Sequence, residues 1–366
     1  MILKRRPAKA KINFWQKLPK PFFVIAPMAN VTDFAFRSMF AKYGKPDVMW
    51  TEFVSADGLC SPKGKKMLMR DLEFSPKERP IVAQLFTGHS VAMFGAAKLV
   101  AKLGFDGIDI NMGCPDRSVE KQGGGAASIK DPKNALKVLG AARNGWKEVK
   151  KEKGNNEKKF ISIKTRIGYN SVDWKWIRLL IEQNLPALTV HLRTRKEMSD
   201  VPAHWELMPE IIKLRDEVQA DIPVEERTLI IGNGDVHSLP DANEKVSKYG
   251  CDGVMIGRGI FGKPWFFGNK ELGVRNLKPE EKTPKERLKI MFEHAKLFNK
   301  LYCGGGNAKK SSKQNHKNFA VMKKHFKTYV SGWDGAKELR VQLMEANAYK
   351  EVEKIVKEYI KNLDQK

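Results

Sequence analysis

Eight short runs rich in β-branched and aromatic residues alternate with longer segments of helical periodicity in this chain. Such alternation is typical of parallel strands joined by crossover helices. Between the runs, in segments such as 33–43, 91–103, 132–143 and 174–183, apolar residues recur at helical spacing. The predicted strands are residues 22–29, 48–56, 81–88, 107–114, 161–168, 187–194, 229–236 and 253–261.

Eight strand-helix units predict an α/β fold of the (β/α)8 TIM barrel type. A doubly wound open sheet is built from the same units and is the alternative. The barrel is favoured because its chemistry lies at the C-terminal ends of many strands, whereas an open sheet uses one crevice. The unusual residues of this chain end nearly every predicted strand, at positions 27–29, 84, 111–115, 164–166, 191, 233–235 and 257–258.

The chain is expected to divide into three parts. A basic N-terminal extension, residues 1–20, precedes the barrel, residues 21–275. Strand patterns stop after Pro264, and segments 284–301, 319–329 and 336–361 read as helices, so residues 276–366 are predicted to form a smaller, basic, all-helical domain. Within it, the Gly, Lys, Ser and Asn content of residues 303–318 predicts a flexible loop.

The formal net charge of +25 indicates a polyanionic partner, and nucleic acid is the natural candidate. General lysine enrichment with solvated helix faces is the alternative interpretation. Basic residues are dense at the N-terminus, in 147–159 and beyond residue 278. No run approaches the roughly eighteen apolar residues of a membrane span, and residues 1–20 lack the apolar centre of a signal peptide, so a cytoplasmic protein without a membrane partner is expected.

Cys114 is the candidate catalytic thiol. It ends a predicted strand between Gly113 and Pro115, residues that fix a tight turn and present the side chain at the functional end of a barrel. The other three cysteines are interpreted as inert core residues. No zinc-type CxxC or HExxH spacing is present, so neither a metal nor a disulfide framework is expected.

Two cations are expected inside the barrel. Strand alternation places Lys164 and Arg166 on one face, which in a barrel points inward. Buried cations are costly unless an anion meets them. That anion is either a bound ligand or a barrel carboxylate such as Asp109.

The last two predicted strands end in a candidate phosphate site, Asn233-Gly-Asp235 and Gly257-Arg258-Gly259. Residues 257–262 also match the dinucleotide motif GxGxxG, and 257–263 nearly complete a P-loop. Both fail on context, because Pro264 stands where a P-loop needs Ser or Thr and no βαβ unit follows. His191, beside Arg193 and Arg195, is either a neutral hydrogen-bonding group at the barrel mouth or a core histidine.

Taken in order, these motifs resemble those of the tRNA dihydrouridine synthases. Asn111-Met-Gly-Cys-Pro115 is the most specific part, and the C-terminal third resembles the family's helical tRNA-binding domain more loosely, through residues 323–325, Tyr329 and 339–340. The other matching segments are residues 26–33, 84–85, 164–168, 190–191, 232–235 and 256–262.

The resemblance implies FMN as the cofactor, NADPH or NADH as the reductant and tRNA as the partner. The sequence is silent on the oligomeric state, and a monomer is assumed. The residues it places along the isoalloxazine ring are Pro27, Met28, Ala29 and Gln84. The further flavin contacts it implies are Lys164 and His191. The residues it places at the ribityl phosphate are Asn233, Gly234, Asp235, Gly257 and Arg258.

By the same resemblance Cys114 is the proton donor and Asn111 with Arg166 faces the uridine. Arg193 and Arg195 are expected to contact the substrate. Members usually carry Gly after the histidine and Gln four residues beyond that Gly. This chain has Leu192 and Lys196 at those positions, so it departs from the pattern there.

The implied reaction reduces a tRNA uridine to 5,6-dihydrouridine: reduced flavin N5 gives hydride to C6, and Cys114 gives a proton to C5. Moving the uridine out of the base stack costs a few kcal/mol. Contacts between the protein and other parts of the tRNA must offset that cost. Two alternatives are an FMN barrel acting on a free pyrimidine or enone, as dihydroorotate dehydrogenases do, and a non-catalytic RNA-binding barrel.

Overall fold

The computed structural model describes residues 13–152, 160–268, 281–303 and 317–363. Eight parallel strands pair in the order β1-β8-β7-β6-β5-β4-β3-β2. A parallel bridge between Val24 and Val48 then joins β1 to β2 and closes the sheet, which confirms the (β/α)8 barrel. The strands are β1 (Phe22–Ile25), β2 (Met49–Ser55), β3 (Ile81–Phe86), β4 (Gly107–Met112), β5 (Ile161–Arg166), β6 (Ala187–His191), β7 (Leu229–Asn233) and β8 (Gly253–Ile256).

The helices of the barrel lie between these strands, as the sequence predicts. Asp33 caps the first, its side chain accepting a hydrogen bond from the Phe36 N–H at 3.0 Å, and Asp173 caps the helix that begins at Trp174 in the same way. The barrel helices are α1 (Phe34–Tyr43), α2 (Ala56–Cys60), α3 (Pro62–Leu68), α4 (Ser90–Leu103), α5 (Arg117–Glu120), α6 (Pro132–Glu152), α7 (Trp174–Ile181), α8 (Met208–Val218) and α9 (Leu239–Tyr249).

Most strands end two to five residues earlier than predicted, because the residues with candidate chemistry leave the sheet. β1, for example, ends at Ile25, and Pro27 has no N–H to give to the sheet. At the opposite end of the barrel, Trp15 fills the interior against Trp50, with ring centroids 5.9 Å apart. The open end is therefore the one at the C-terminal ends of the strands.

The C-terminal region is helical, as expected. One prediction was wrong: 336–361 is two helices, because Ala346 is extended and the Asn347 N–H bonds to Glu351 at 2.9 Å, which starts a new helix. The other segment, 319–329, begins as a 3-10 turn. The helices are α10 (Pro284–Tyr302), α11 (Lys323–Tyr329), α12 (Ala336–Glu345) and α13 (Tyr349–Leu363).

These helices pack against α1 of the barrel. Met39 and Trp265 share their hydrophobic core. Gly262 has φ +68°, and a Cβ there would lie 2.5 Å from the backbone of Thr328. The last glycine of the GxGxxG look-alike therefore lets the barrel and the helices approach closely, which is a packing role.

A buried charge cluster ties the helical region to the barrel. Lys317 Nζ lies 2.6 Å from Glu52 Oε2 and 3.3 Å from Asp71 Oδ1. The other Glu52 oxygen accepts the Asn30 N–H at 2.5 Å, in the loop that follows β1. Asp33 is also near, and burial raises its pKa to about 6 while Lys317 opposes that rise. The position of the helices is thus coupled to the loop that carries Pro27 and Met28.

Several sequence expectations fall outside the described residues. These are most of the extension 1–20, the end of the basic stretch 147–159, most of the loop 303–318, and the boundary at 275/276. In the described residues, no helix is both long and apolar enough to span a membrane.

The three remaining cysteines differ in environment. Cys251 is buried, as expected of a core residue. Cys60 is exposed, so its interpretation as a core residue was wrong; it lies on the outer turn of α2, and its thiol donates to the Ala92 carbonyl at 3.3 Å. Cys303 is half-buried.

Candidate active site

A cavity of about 300 Å³ opens at the C-terminal ends of the strands. Eleven of the sixteen candidate site residues line it. They are Pro27, Met28, Lys164, Arg166, His191, Arg193, Asn233, Gly234, Asp235, Gly257 and Arg258.

Five candidates do not line this cavity: Ala29, Gln84, Asn111, Cys114 and Arg195. Ala29 lies in the exposed turn after β1. Cys114 is next to the cavity, since Pro115 lines it and the thiol interacts electrostatically with Lys164 and Arg166. Gln84 and Asn111 are buried, and they connect to the backbone of Cys114 through hydrogen bonds.

The backbone of the Cys114 turn is hydrogen-bonded on both sides, once by a side chain and once by another backbone segment. Asn111 Oδ1 accepts the N–H groups of Gly113 at 3.2 Å and Cys114 at 2.9 Å. The Cys114 carbonyl accepts the Ala126 N–H at 2.9 Å. Gly125 has φ +58°, and a Cβ there would lie 2.5 Å from that carbonyl, so the Gly-rich run is needed for this approach.

A chain of buried hydrogen bonds orients Asn111. Ser162 Oγ and Gln84 Nε2 each donate to the Asp109 carboxylate at 2.6 Å, and Asn111 Nδ2 donates to Gln84 Oε1 at 3.1 Å. An ionised Asp109 carboxylate can only accept hydrogen bonds, so the Gln84 amide turns its Nε2 to Asp109 and its Oε1 to Asn111. The backbone N–H groups of the Cys114 turn can only donate, so the Asn111 amide turns its Oδ1 to the turn and its Nδ2 to Gln84. Asp109 is therefore engaged by neutral donors.

Cys114 is suited to keep its proton. Burial raises the pKa of its thiol; the charge of Asp116 adds to that effect, while an Asp116 backbone hydrogen bond and the two barrel cations oppose it. A thiol with a raised pKa is protonated near neutrality and can act as an acid.

Lys164 and Arg166 differ in what satisfies them. Arg166 donates to the carbonyls of Gly113, Thr194 and Met198, each at 2.9 Å. Lys164 forms no hydrogen bond or salt bridge with any described residue. Burial, with the Arg166 charge, lowers its pKa to about 8, although the nearby charge of Asp109 opposes that shift. The Lys164 ammonium is therefore the cation left for an anionic ligand.

His191 is neutral in this site. Burial lowers its pKa well below the usual 6.5, and four neighbouring cations add to that effect. Arg193 Nη1 lies 3.2 Å from His191 Nε2, and since a guanidinium can only donate, Nε2 accepts and Nδ1 carries the proton. The ring can thus donate a hydrogen bond from Nδ1.

Arg193 and Arg195, predicted to contact substrate, are largely engaged within the protein. Arg193 donates to the Val201 carbonyl at 2.6 Å and pairs with Asp235. Arg195 pairs with Glu120 at 2.6 Å and donates to the Pro115 carbonyl at 3.3 Å. In this arrangement they hold the loop after β6 against β7 and against the Cys114 turn.

The candidate phosphate end is a tight set of turns at β7 and β8. Gly234 has φ +131°, and a Cβ there would meet Ala203 at 2.6 Å. At Gly257 a Cβ would face the cavity, 3.9 Å from Ala26 and Met28. Arg258 is mostly exposed and lies 3.2 Å from Asp235. Burial acts to raise the pKa of Asp235, but hydrogen bonds from Arg193 and the Ala203 N–H hold it below its usual value.

Sequence reasoning missed several residues of the site. The sequence pattern indicates Asp109 only as an ion partner and gives no signal for Glu120, which pairs with Arg195. Met198, Ser199 and His237 line the cavity from loops. Met198 has φ +51°, a conformation that no sequence signal at a methionine indicates. In the described residues no group of three or more His, Cys, Asp or Glu side chains could hold a metal ion.

Comparison with known proteins agrees with these motifs. Residues 24–364 match the family model "Dihydrouridine synthase (Dus)". The "Probable tRNA-dihydrouridine synthase" of Staphylococcus aureus strain COL is 40% identical over 358 residues, 97% of this chain and 98% of that protein. The "Probable tRNA-dihydrouridine synthase 2" of Bacillus subtilis strain 168 is 39% identical over 350 residues, 95% of this chain and 96% of that protein.

Among solved structures, morphinone reductase aligns with a TM-score of 0.47 and 13% identity, over 75% of this chain and 91% of that one. The family match covers nearly the whole chain and both regions of the fold. This chain belongs to the dihydrouridine synthase family.

Proposed function

We propose that this protein reduces a uridine of tRNA to 5,6-dihydrouridine, with bound FMN as the cofactor and NADPH or NADH as the reductant. One observation carries the proposal: the Cys114 turn, a partly buried Lys164 ammonium without a salt-bridge partner among the described residues, and a glycine-lined cup meet at one cavity at the open end of the barrel. Family membership and the names of the relatives support the same reaction.

The cavity residues fit FMN. Lys164 supplies a positive charge for the electron-rich part of the ring, and Pro27 and Met28 offer an apolar wall. Asn233, Gly234 and Gly257 supply turns in which backbone N–H groups can meet a phosphate, with Arg258 at the rim. The Asp235 side chain is turned to Arg193 and Arg258, so we assign it the task of holding those cations.

When bound, FMN would supply the hydride for C6 of the uracil after NADPH or NADH has reduced it. Cys114 holds the proton that C5 must receive, and the thiolate left behind regains a proton from solvent. Neutral His191 offers Nδ1–H as a donor without adding charge. The hydrogen bonds through Asn111 fix the turn that carries the thiol.

We assign Asn111 and Gln84 chiefly to positioning, and Arg193 and Arg195 to holding the loop after β6. Asn111, Arg166 and Ala29 remain predicted contacts of the uridine or the flavin. We also propose that residues 21–275 form the catalytic domain and 276–366 the tRNA-binding one. Cytoplasmic location, absence of a metal and a monomeric state remain predictions.

The test is direct. Purified protein loaded with FMN, given NADPH and unmodified tRNA, is expected to add two hydrogen atoms to one uridine, seen by mass spectrometry of the digested RNA. Free uridine is the comparison substrate. Equal turnover of free uridine and tRNA would favour the free-pyrimidine alternative, and no product with a correctly loaded flavin would contradict the proposal.

A further inference from the structure

The hairpin of α2 and α3 is built into the rim of the barrel beside the Cys114 turn. Ser55, which caps α2, donates to Gln122 Oε1 at 2.8 Å, at the start of the Gly-rich run that contacts Cys114. Asp57 of α2 bonds to Thr87 at 2.6 Å and to His89 at 2.7 Å, in the loop after β3. The hairpin is thus tied to the Gly-rich run that contacts Cys114 and to the loop after β3, which packs on that run.

The two helices of the hairpin are also closely packed. A Cβ at Gly64 would lie 2.3 Å from the Gly58 carbonyl, so α3 packs directly on the backbone of α2. Ser61 caps α3, accepting the Gly64 N–H at 3.0 Å. At its far end the chain reaches Asp71, which pairs with Lys317 of the helical region. The hairpin therefore occupies the rim between the Cys114 turn and the helices.

α3 contributes only its last residue to the core, since Leu68 packs against it while partly buried. None of its seven residues is buried. Lys63, Lys65 and Lys66 are exposed, and none of the three forms a salt bridge with a described residue. The nearby carboxylates are already engaged, Asp57 by Thr87 and His89 and Asp71 by Lys317. The three lysine ammonium groups therefore face solvent on the α2–α3 hairpin.

We propose that these three lysines form an RNA phosphate-binding surface of the barrel, which grips the strand next to the uridine that enters the cavity. The inference rests on the proposed function, because it takes the partner to be RNA. Lysines on a fixed element beside the reactive group are suited to hold a backbone whose base has left its stack, and phosphate contacts position the nucleic acid without reading its sequence. The surface adds a second point of attachment to the one expected on the helices.

The experiment compares two triple variants of the full FMN-loaded chain. The test variant is K63Q/K65Q/K66Q. The control, K102Q/K213Q/K248Q, removes the same charge from exposed lysines of the outer helices α4, α8 and α9. Affinity for tRNA is measured by fluorescence anisotropy across a range of KCl concentrations, and tRNA reduction is followed at saturating RNA.

Affinity falls as salt rises, and the test variant is expected to make this fall less steep. The magnitude of the slope of log affinity against log salt should decrease by up to about 2, because each lost phosphate contact contributes about 0.7. Affinity at low salt should fall about tenfold. The turnover number at saturating tRNA should stay within about twofold, since none of the three lysines borders the cavity. The control should keep the wild-type slope.

An unchanged salt slope in the test variant would overturn the proposal that these lysines bind RNA. An equal loss of slope and affinity in the control variant would overturn it too. The proposed function fails separately, if wild-type protein binds tRNA but makes no dihydrouridine. In that case a reduced slope in the test variant still identifies the lysines as an RNA contact.

Discussion

Replacement of Cys114 by alanine is expected to lower the turnover number for tRNA uridine reduction by about 10²- to 10⁴-fold, the usual contribution of a positioned acid. C5 of the uracil then has no side chain to protonate it, while the cavity walls are unchanged. Reduction of the bound flavin by NADPH should proceed as in the wild type. Stopped-flow absorbance separates the two half-reactions: flavin reduction stays fast, and reoxidation by tRNA becomes slow.

The pH dependence of reoxidation by tRNA tests whether Cys114 acts as an acid. Because burial raises the pKa of the thiol, the protonated form predominates at neutral pH. The rate of reoxidation by tRNA should therefore be constant through neutrality and fall as pH rises through that raised pKa. C60A and C303A are the matched controls and should behave as wild type. Reoxidation of C114A within about twofold of wild type would remove Cys114 from the mechanism.

The sequence predicts the parts of this site that depend on local pattern. Alternation along β5 was sufficient to place Lys164 and Arg166 on one inward face, and both line the cavity. Gly113 and Pro115 were sufficient to predict the turn at Cys114. These features follow from strand periodicity and from the backbone limits of glycine and proline, which act within a few residues.

What the sequence did not reveal depends on pairs that are far apart in the chain. Arg193 pairs with Asp235, 42 residues away, and Arg195 with Glu120, 75 residues away. Lys317 meets Glu52 across 265 residues. A single sequence gives no register for such contacts. The sequence therefore predicts substrate contacts for Arg193 and Arg195 but does not show that their donors bind mainly protein oxygens.

Replacement of Lys164 by methionine should have two opposite effects. FMN affinity is expected to fall about 10- to 100-fold, the loss of one charge-assisted contact in a buried site. The flavin-free protein should become more stable, by on the order of 1–3 kcal/mol at neutral pH, because burial lowers the pKa of Lys164 from 10.5 to about 8 and its charge therefore opposes folding. Fluorescence titration with FMN and urea unfolding of the flavin-free protein measure the two effects.

The pH dependence of that stability gain distinguishes a destabilising charge from a change in packing. Below about pH 8 Lys164 is protonated both folded and unfolded, so the wild type bears the full penalty. Between about 8 and 10.5 the folded protein releases the proton while the unfolded chain keeps it, so the penalty shrinks. The advantage of K164M should therefore shrink as pH rises above 8, whereas a packing effect would not change. K121M, at an exposed lysine outside the cavity, should alter neither FMN affinity nor stability. Wild-type FMN affinity in K164M would show that the Lys164 ammonium does not bind the cofactor. A flavin-free K164M less stable than wild type at neutral pH would show that this charge does not oppose folding.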